Sequence, residues 1–176
     1  ARRIKSGDLV KVDVGAIFEG YHADAAVSFG AGEISEAAKN LLRVTKTALF
    51  RGIDQCRPGK KVVDISRAIQ QQAEQAGYSV VRELVGHGIG KVMHEPLQIP
   101  NFVTGQNSPA LKAGMTFAIE PMVNIGDWKI RREADGWTCR TSDGSLSAHF
   151  EHSVAVTDAG PIILTQEEAG GRQQAE

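Results

Sequence analysis

The chain is poor in cysteine: Cys56 and Cys139 are its only two thiols. Two thiols build no disulfide framework, so a reducing, cytoplasmic setting is the simpler expectation. It also lacks charge of one sign. A formal net charge of −1, with 23% charged residues, gives no generally basic surface, so specific nucleic-acid binding is not expected. No apolar run approaches the length of a membrane span and no signal peptide opens the chain, so no membrane partner is expected. Internal repeats and domain linkers are missing as well. The 176 residues suffice for one domain with a real core. What the chain does have is glycine, 19 residues of it, which suits a loop-rich α/β protein whose backbone approaches a ligand closely.

The stretch "KVDVGAIFEGYHADAAVSF" reads as a β-hairpin. Val10, Val12 and Val14 alternate with Lys11, Asp13 and Gly15, and Ala23, Ala25 and Val27 alternate with His22, Asp24 and Ala26. "FEGY" supplies the turn, with Gly20 free to take positive φ. A loop at Phe18-Glu19 pairs Asp13 with Asp24 directly, whereas a loop at Glu19-Gly20 makes them diagonal neighbours. Either way the two carboxylates share a face and the valines line the other. Like charges so placed are destabilising unless a cation lies between them. Two solvated aspartates on a wet sheet face are the plainer alternative.

Beyond the hairpin, Ser35 is placed to cap a helix with Ala38, Leu41, Leu42, Thr45, Ala48 and Leu49 on one face. Asp64 is placed to cap a second, "ISRAIQQQAEQAG", closed by Gly77. "YSVVRELV" reads as a strand entering "GHGIG", and "EPLQIPNFVTGQNSPALKAG" as a long loop. "MTFAIEPMV" and "HFEHSVAVT" read as strands, separated by a hairpin with turns at Asp135-Gly136 and Asp143-Gly144. The polar end, residues 166–176, reads as a fraying tail after a domain spanning 1–165.

Chemistry-bearing residues sit in unexpected places. His87 stands among glycines, which would let a ligand or metal come close. Glu120 and Glu151 interrupt apolar strands, and acids are rarely buried unless paired. Asp13, Asp24, Glu120 and Glu151 carry four negative charges, which two divalent cations balance. Oxygen-rich ligation with one imidazole suits Mn, Fe, Co or Zn and disfavours an all-thiolate zinc site. Two such ions, about 3.5–4 Å apart, are the apparatus of hydrolases and acidify a shared water. The composition leads to a dinuclear hydrolase without identifying its substrate.

The order and spacing of Asp13, Asp24, His87 in "GHGIG", Glu120 in "TFAIEP" and Glu151 in "FEHSVAVT" resemble the type I methionine aminopeptidases. These are pita-bread metallopeptidases (the creatinase/aminopeptidase fold). The block "DGWTCRTSDGSLSAHFEHSVAVTDAGPIILT" resembles the bacterial type; prolidase and aminopeptidase P share the ligand order but not that block. The resemblance runs from about residue 4 to residue 165. It implies an α+β fold, a curved antiparallel sheet with helices on one side, here lacking part of the N-terminal half. It implies that Asp24 and Glu151 bridge two metal ions, that Asp13 holds one, and that His87 and Glu120 complete the other. By the same resemblance Glu120 receives the proton from the attacking water, and His94 hydrogen-bonds the scissile carbonyl. Met93 and Trp137 fall where the family lines its methionine pocket; without the resemblance, ordinary core packing is the preferred reading. The implied substrate is the N-terminus of a peptide or nascent chain, with the ribosome as a further partner.

Two departures qualify the resemblance. Pro96 follows Glu95 directly where the family commonly has one residue between them, which touches the loop beside His94. Family members also carry a segment ahead of residue 1, with another active-site histidine and much of the methionine pocket. Its lack implies a weakened or broadened aminopeptidase, with apolar surface exposed for self-association. His149 and His152 flank Glu151 and are assigned no role. The alternatives are a metal-binding half-domain with little catalysis of its own, and a ribosome- or protein-interaction module.

Overall fold

The structure is a computed structural model describing residues 3–105 and 108–166. Of the expected tail, residues 167–176 lie outside the described residues. The elements run β1 (Leu9–Phe18), β2 (Tyr21–Gly30), α1 (Glu36–Ile53), α2 (Val62–Gln75), β3 (Ser79–Val80), β4 (Gly86–Gly88), β5 (Glu95–Ile99), β6 (Thr116–Ile119), β7 (Met122–Asn124), β8 (Ile130–Arg132), β9 (Cys139–Thr141), β10 (Ser147–His149), β11 (Glu151–Thr157) and β12 (Gly160–Ile163). Seven strands form an antiparallel sheet in the order β1-β2-β11-β6-β4-β5, with β12 paired to β11. Strands β10-β7-β3 form a second sheet and β8-β9 a two-stranded ribbon.

The helices follow the sequence rules closely. Ser35 Oγ accepts from Ala38 N at 3.2 Å, the N-cap of α1. Leu41, Val44, Thr45, Ala48 and Leu49 are buried at helical spacing. Helix α2 starts earlier than expected. Asp64 is its third residue, not its cap, and accepts from Lys61 N at 2.9 Å while pairing with Arg67 at 2.7 Å. Gly77 follows the α2 C-cap Ala76 with φ 79°.

Several expected strands are interrupted. "YSVVRELV" contributes only β3, and β4 begins after a break. The expected long loop contains β5, whose Glu95 pairs with Gly88 and Gln98 with His87. Pro96 and Leu97 bulge between those pairs, where proline's missing N–H is tolerated. The stretches "MTFAIEPMV" and "HFEHSVAVT" each split between two sheets. The breaks fall at Glu120-Pro121 and at Phe150, whose backbone N donates to Pro121 O at 3.4 Å.

Strand alternation gives the main sheet two unlike faces. Phe117, Ile119, Val154 and Val156 join Leu41, Leu49, Ile65 and Ile69 of the helices in one core. His87, Ala118, Ser153, Glu151 and Ala26 stand on the opposite face. The helix-side face continues onto β1 and β2, where nothing among the described residues covers it. There Val12, Val14, Phe18, Tyr21, Val27 and Phe29 are between 40% and 77% exposed.

Candidate metal centre

The hairpin turns at Glu19-Gly20, with Phe18 opposite Tyr21 and Gly20 at φ 80°. Asp13 faces Ala26 and Asp24 faces Gly15, so the two aspartates are diagonal neighbours on one face, the second of the two geometries expected. Ser153 fixes the backbone of Asp24: its Oγ accepts from Asp24 N and donates to Asp24 O, both at 2.9 Å. This stitches β2 to β11 and sets Asp24 beside Glu151.

His87 arrives from β4, which pairs with β6 on one side and β5 on the other. Its Nε2 lies 3.9 Å from Asp24 Oδ2 and 3.6 Å from Glu120 Oε1. Its glycine neighbours let other parts of the protein come close. A Cβ on Gly86 would strike Ala118 O, and one on Gly90 would meet the Glu95 carboxylate. Glu120 follows β6 at the break before Pro121, and its carbonyl accepts from Asn101 Nδ2 at 3.1 Å. Glu151, 2% exposed, opens β11.

The donor atoms of Asp24, His87 and Glu151 all lie within 4.8 Å of one another. Glu120 borders this group through His87, and Asp13 through its diagonal neighbour Asp24, which adds to the rise that burial gives its pKa. The electrostatics are those of acids forced together. Burial, then Asp13 and Asp24, push Glu120 up to about 8. Burial, then Glu120, Asp24 and Asp13, push Glu151 up to about 9. Asp13 is raised by burial and by Asp24, with His149 and His87 pulling the other way. Glu151 Oε1 is buried without a hydrogen-bond partner among the described residues, an unusual cost for a carboxylate. Hard oxygen donors, one imidazole and an orphaned buried oxygen fit a divalent cation.

His94 lies in the bend between β4 and β5, exposed, its ring centroid 4.3 Å from that of His87. Met93 is half-buried and packs over Gly15, opposite Asp24, so that a Cβ on Gly15 would collide with Met93 Cε. The structure does not bring Trp137 to the cluster. It sits at the turn between β8 and β9, 88% exposed, with its backbone N donating to Asp135 Oδ1 at 2.9 Å.

Sequence reasoning passed over His149. Its Nε2 lies 3.7 Å from Glu120 Oε2 and 4.0 Å from Glu151 Oε2. Burial pushes this imidazole down to about 4, with Asp13 opposing. Parity was the available signal, since His149 stands two residues from Glu151 while His152 has the opposite parity. His152 turns to the helix side, where its ring meets Phe50 edge-on at 5.9 Å. Ser28, Ser153 and Asn101 were also passed over.

Comparison with known proteins adds an independent line. The model of metallopeptidase family M24 matches residues 1–158. A methionine aminopeptidase of Clostridium perfringens is 49% identical over 162 residues, covering 92% of this chain and 65% of the relative. Methionine aminopeptidase 1 of Bacillus subtilis is 46% identical over 166 residues, covering 94% and 67%. The crystal structure of a Thermotoga maritima methionine aminopeptidase superposes with a TM-score of 0.89 at 48% identity, covering 93% of this chain and 66% of that one. The chain thus spans about two thirds of the length of these relatives.

Proposed function

We propose, because the chain belongs to metallopeptidase family M24, that it is a metal-dependent aminopeptidase removing an N-terminal residue, methionine by preference, from peptides or nascent chains. Its antiparallel sheet and helices form the pita-bread fold that the sequence led us to expect. The observation that carries the reading is the convergence of Asp24, His87 and Glu151 from three separate strands, with donor atoms within 4.8 Å.

Asp24 and Glu151 would bridge two divalent ions of Mn, Fe, Co or Zn, Asp13 would hold one, and His87 and Glu120 the other. Such ions, when bound, polarise a carbonyl and acidify water. The chain's own residues would do the rest. Glu120, placed beside His87 at the break before Pro121, takes the proton of the attacking water as general base. His94, beside His87 on an exposed bend, donates to the scissile carbonyl oxygen as charge develops there. Met93, over Gly15, offers an apolar contact to the substrate's first side chain. A cytosolic setting is consistent with free thiols at Cys56 and Cys139. Among the described residues no helix is long and apolar enough to cross a membrane.

The test is hydrolysis of a methionyl peptide by purified protein with added Mn²⁺ or Co²⁺. Cleavage should exceed that of Glu120→Gln; equal rates would end the proposal. The uncovered apolar face of β1 and β2 favours a second reading, in which the chain binds ions but cleaves efficiently only when another protein surface covers that face.

A further inference from the structure

We propose that His149 is a positioning residue for Glu120, its Nε2–H holding the carboxylate through Oε2 while Oε1 is turned to His87. The inference rests on the metal-centre reading above and adds to it a residue outside the five candidate ligands.

Glu120 lies between two imidazoles. Oε1 is 3.6 Å from His87 Nε2, and Oε2 is 3.7 Å from His149 Nε2. The two sides are not equivalent. His87 shares a donor group with Asp24 and Glu151, all within 4.8 Å, and His149 stands outside that group. A carboxylate that ligates through the oxygen facing His87 keeps its other oxygen free for a hydrogen-bond donor. Ligand carboxylates are commonly held in this way by a partner that does not touch the metal.

His149 is 7% exposed, and its Nε2 is buried with no hydrogen-bond partner among the described residues. Buried polar atoms are rarely left so. The backbone that carries the imidazole is also held where it is. Ser28 Oγ donates to His149 O at 2.7 Å and accepts from His149 N at 2.9 Å, while the residue pairs with Met122 across β7. With the backbone clamped from both sides, a closure of about half an ångström makes the Nε2–H···Oε2 contact a hydrogen bond.

The experiment reads ion binding, not cleavage, so a chain that binds Mn²⁺ without cleaving still decides it; only absent binding overturns both readings. Mn²⁺ alone is titrated into the chain and into His149→Leu, His149→Gln, Glu120→Gln and the Leu/Gln double variant. His149→Leu should weaken binding about 10–100-fold, while His149→Gln, which keeps an N–H donor, should stay within about threefold of the parent. In the Glu120→Gln background, His149→Leu should change affinity by less than about twofold, because the two residues act as one unit. Pulsed EPR of Mn²⁺ in the unaltered chain, which needs no variant to fold, should count one coordinated imidazole. The proposal is overturned by parent-like binding in His149→Leu, by an equal loss in both backgrounds, by two coordinated imidazoles, or by no Mn²⁺ binding at all.

Discussion

Ser153 and Asp24 meet at a single hydroxyl that hydrogen-bonds both the N–H and the C=O of the aspartate, each at 2.9 Å. Regular pairing of β2 with β11 ends at Glu151–Ala26 and His152–Ala25, and the serine side chain takes over where the ladder stops. Its position is therefore tied to that of the two central carboxylates. Ser153→Ala leaves two backbone groups without a partner, a cost of about 1–3 kcal/mol each where water is excluded. Urea unfolding should show a loss of that order. Mn²⁺ affinity should fall about 10-fold, as it does when a group orienting a ligand is removed. An unchanged affinity would mean that Asp24 is held by the sheet alone.

The raised acids make stability depend on pH in a defined direction. Glu120 and Glu151 titrate near 8 and 9 in the fold against an ordinary value of 4.5, so between these limits the folded chain holds protons that the unfolded chain has lost. Stability then falls as pH rises, by at most about 1.4 kcal/mol per pH unit for each proton. His149 acts oppositely: its value near 4 against an ordinary 6.5 makes stability rise with pH across that interval. In chelator, melting temperatures should therefore drop most steeply between pH 6.5 and 8. Glu151→Gln should flatten the drop. Saturating Mn²⁺ should do the same, because ligation favours the ionised carboxylates.

The parts legible in the sequence were those with a period. The alternation from Val10 to Gly15 and from His22 to Val27 fixed which face the aspartates share, and Ser35 with Leu41, Thr45 and Ala48 fixed α1. The ligand candidates were legible because Glu120 and Glu151 break apolar strands. What escaped had no period. Strands β3, β5 and β7 are two to five residues long, too short to repeat a pattern. Pro121 and Phe150 move the chain from one sheet to another, which only tertiary packing decides. Ser28 and Ser153 act through single hydroxyls that look like ordinary strand residues. The glycines around His87 gave no sign of the close approach of β6 and Glu95 that they permit.

Gly15 gives a test of the proposed substrate contact. Met93 Cε occupies the space a side chain would need there, directly across from Asp24. Gly15→Val should displace Met93 while leaving the backbone pairing of β1 intact, since valine favours a strand. KM for a methionyl peptide should rise about 10-fold with little change in kcat, as for lost uniform binding. Mn²⁺ affinity should hold. A parallel fall in ion binding would instead place Met93 in support of Asp24.

The uncovered hairpin face should bring two copies of the chain together. Among the described residues strand β1 is the edge of the sheet, paired with β2 alone, so it presents an open edge beside an apolar surface. Such edges join to other chains unless charge or cover prevents it. Val12, Val14 and Val27 are exposed at 40%, 57% and 45%, and no lysine interrupts them on that face. Sedimentation at increasing concentration should show a monomer passing to a dimer. Replacing Val14 and Val27 by lysine should hold the chain monomeric. Mn²⁺ binding should survive, because alternate residues point to opposite faces and the valines lie away from Asp13 and Asp24. A parent chain that stays monomeric throughout would show that the face is tolerated in water, and would remove association as the role of this surface.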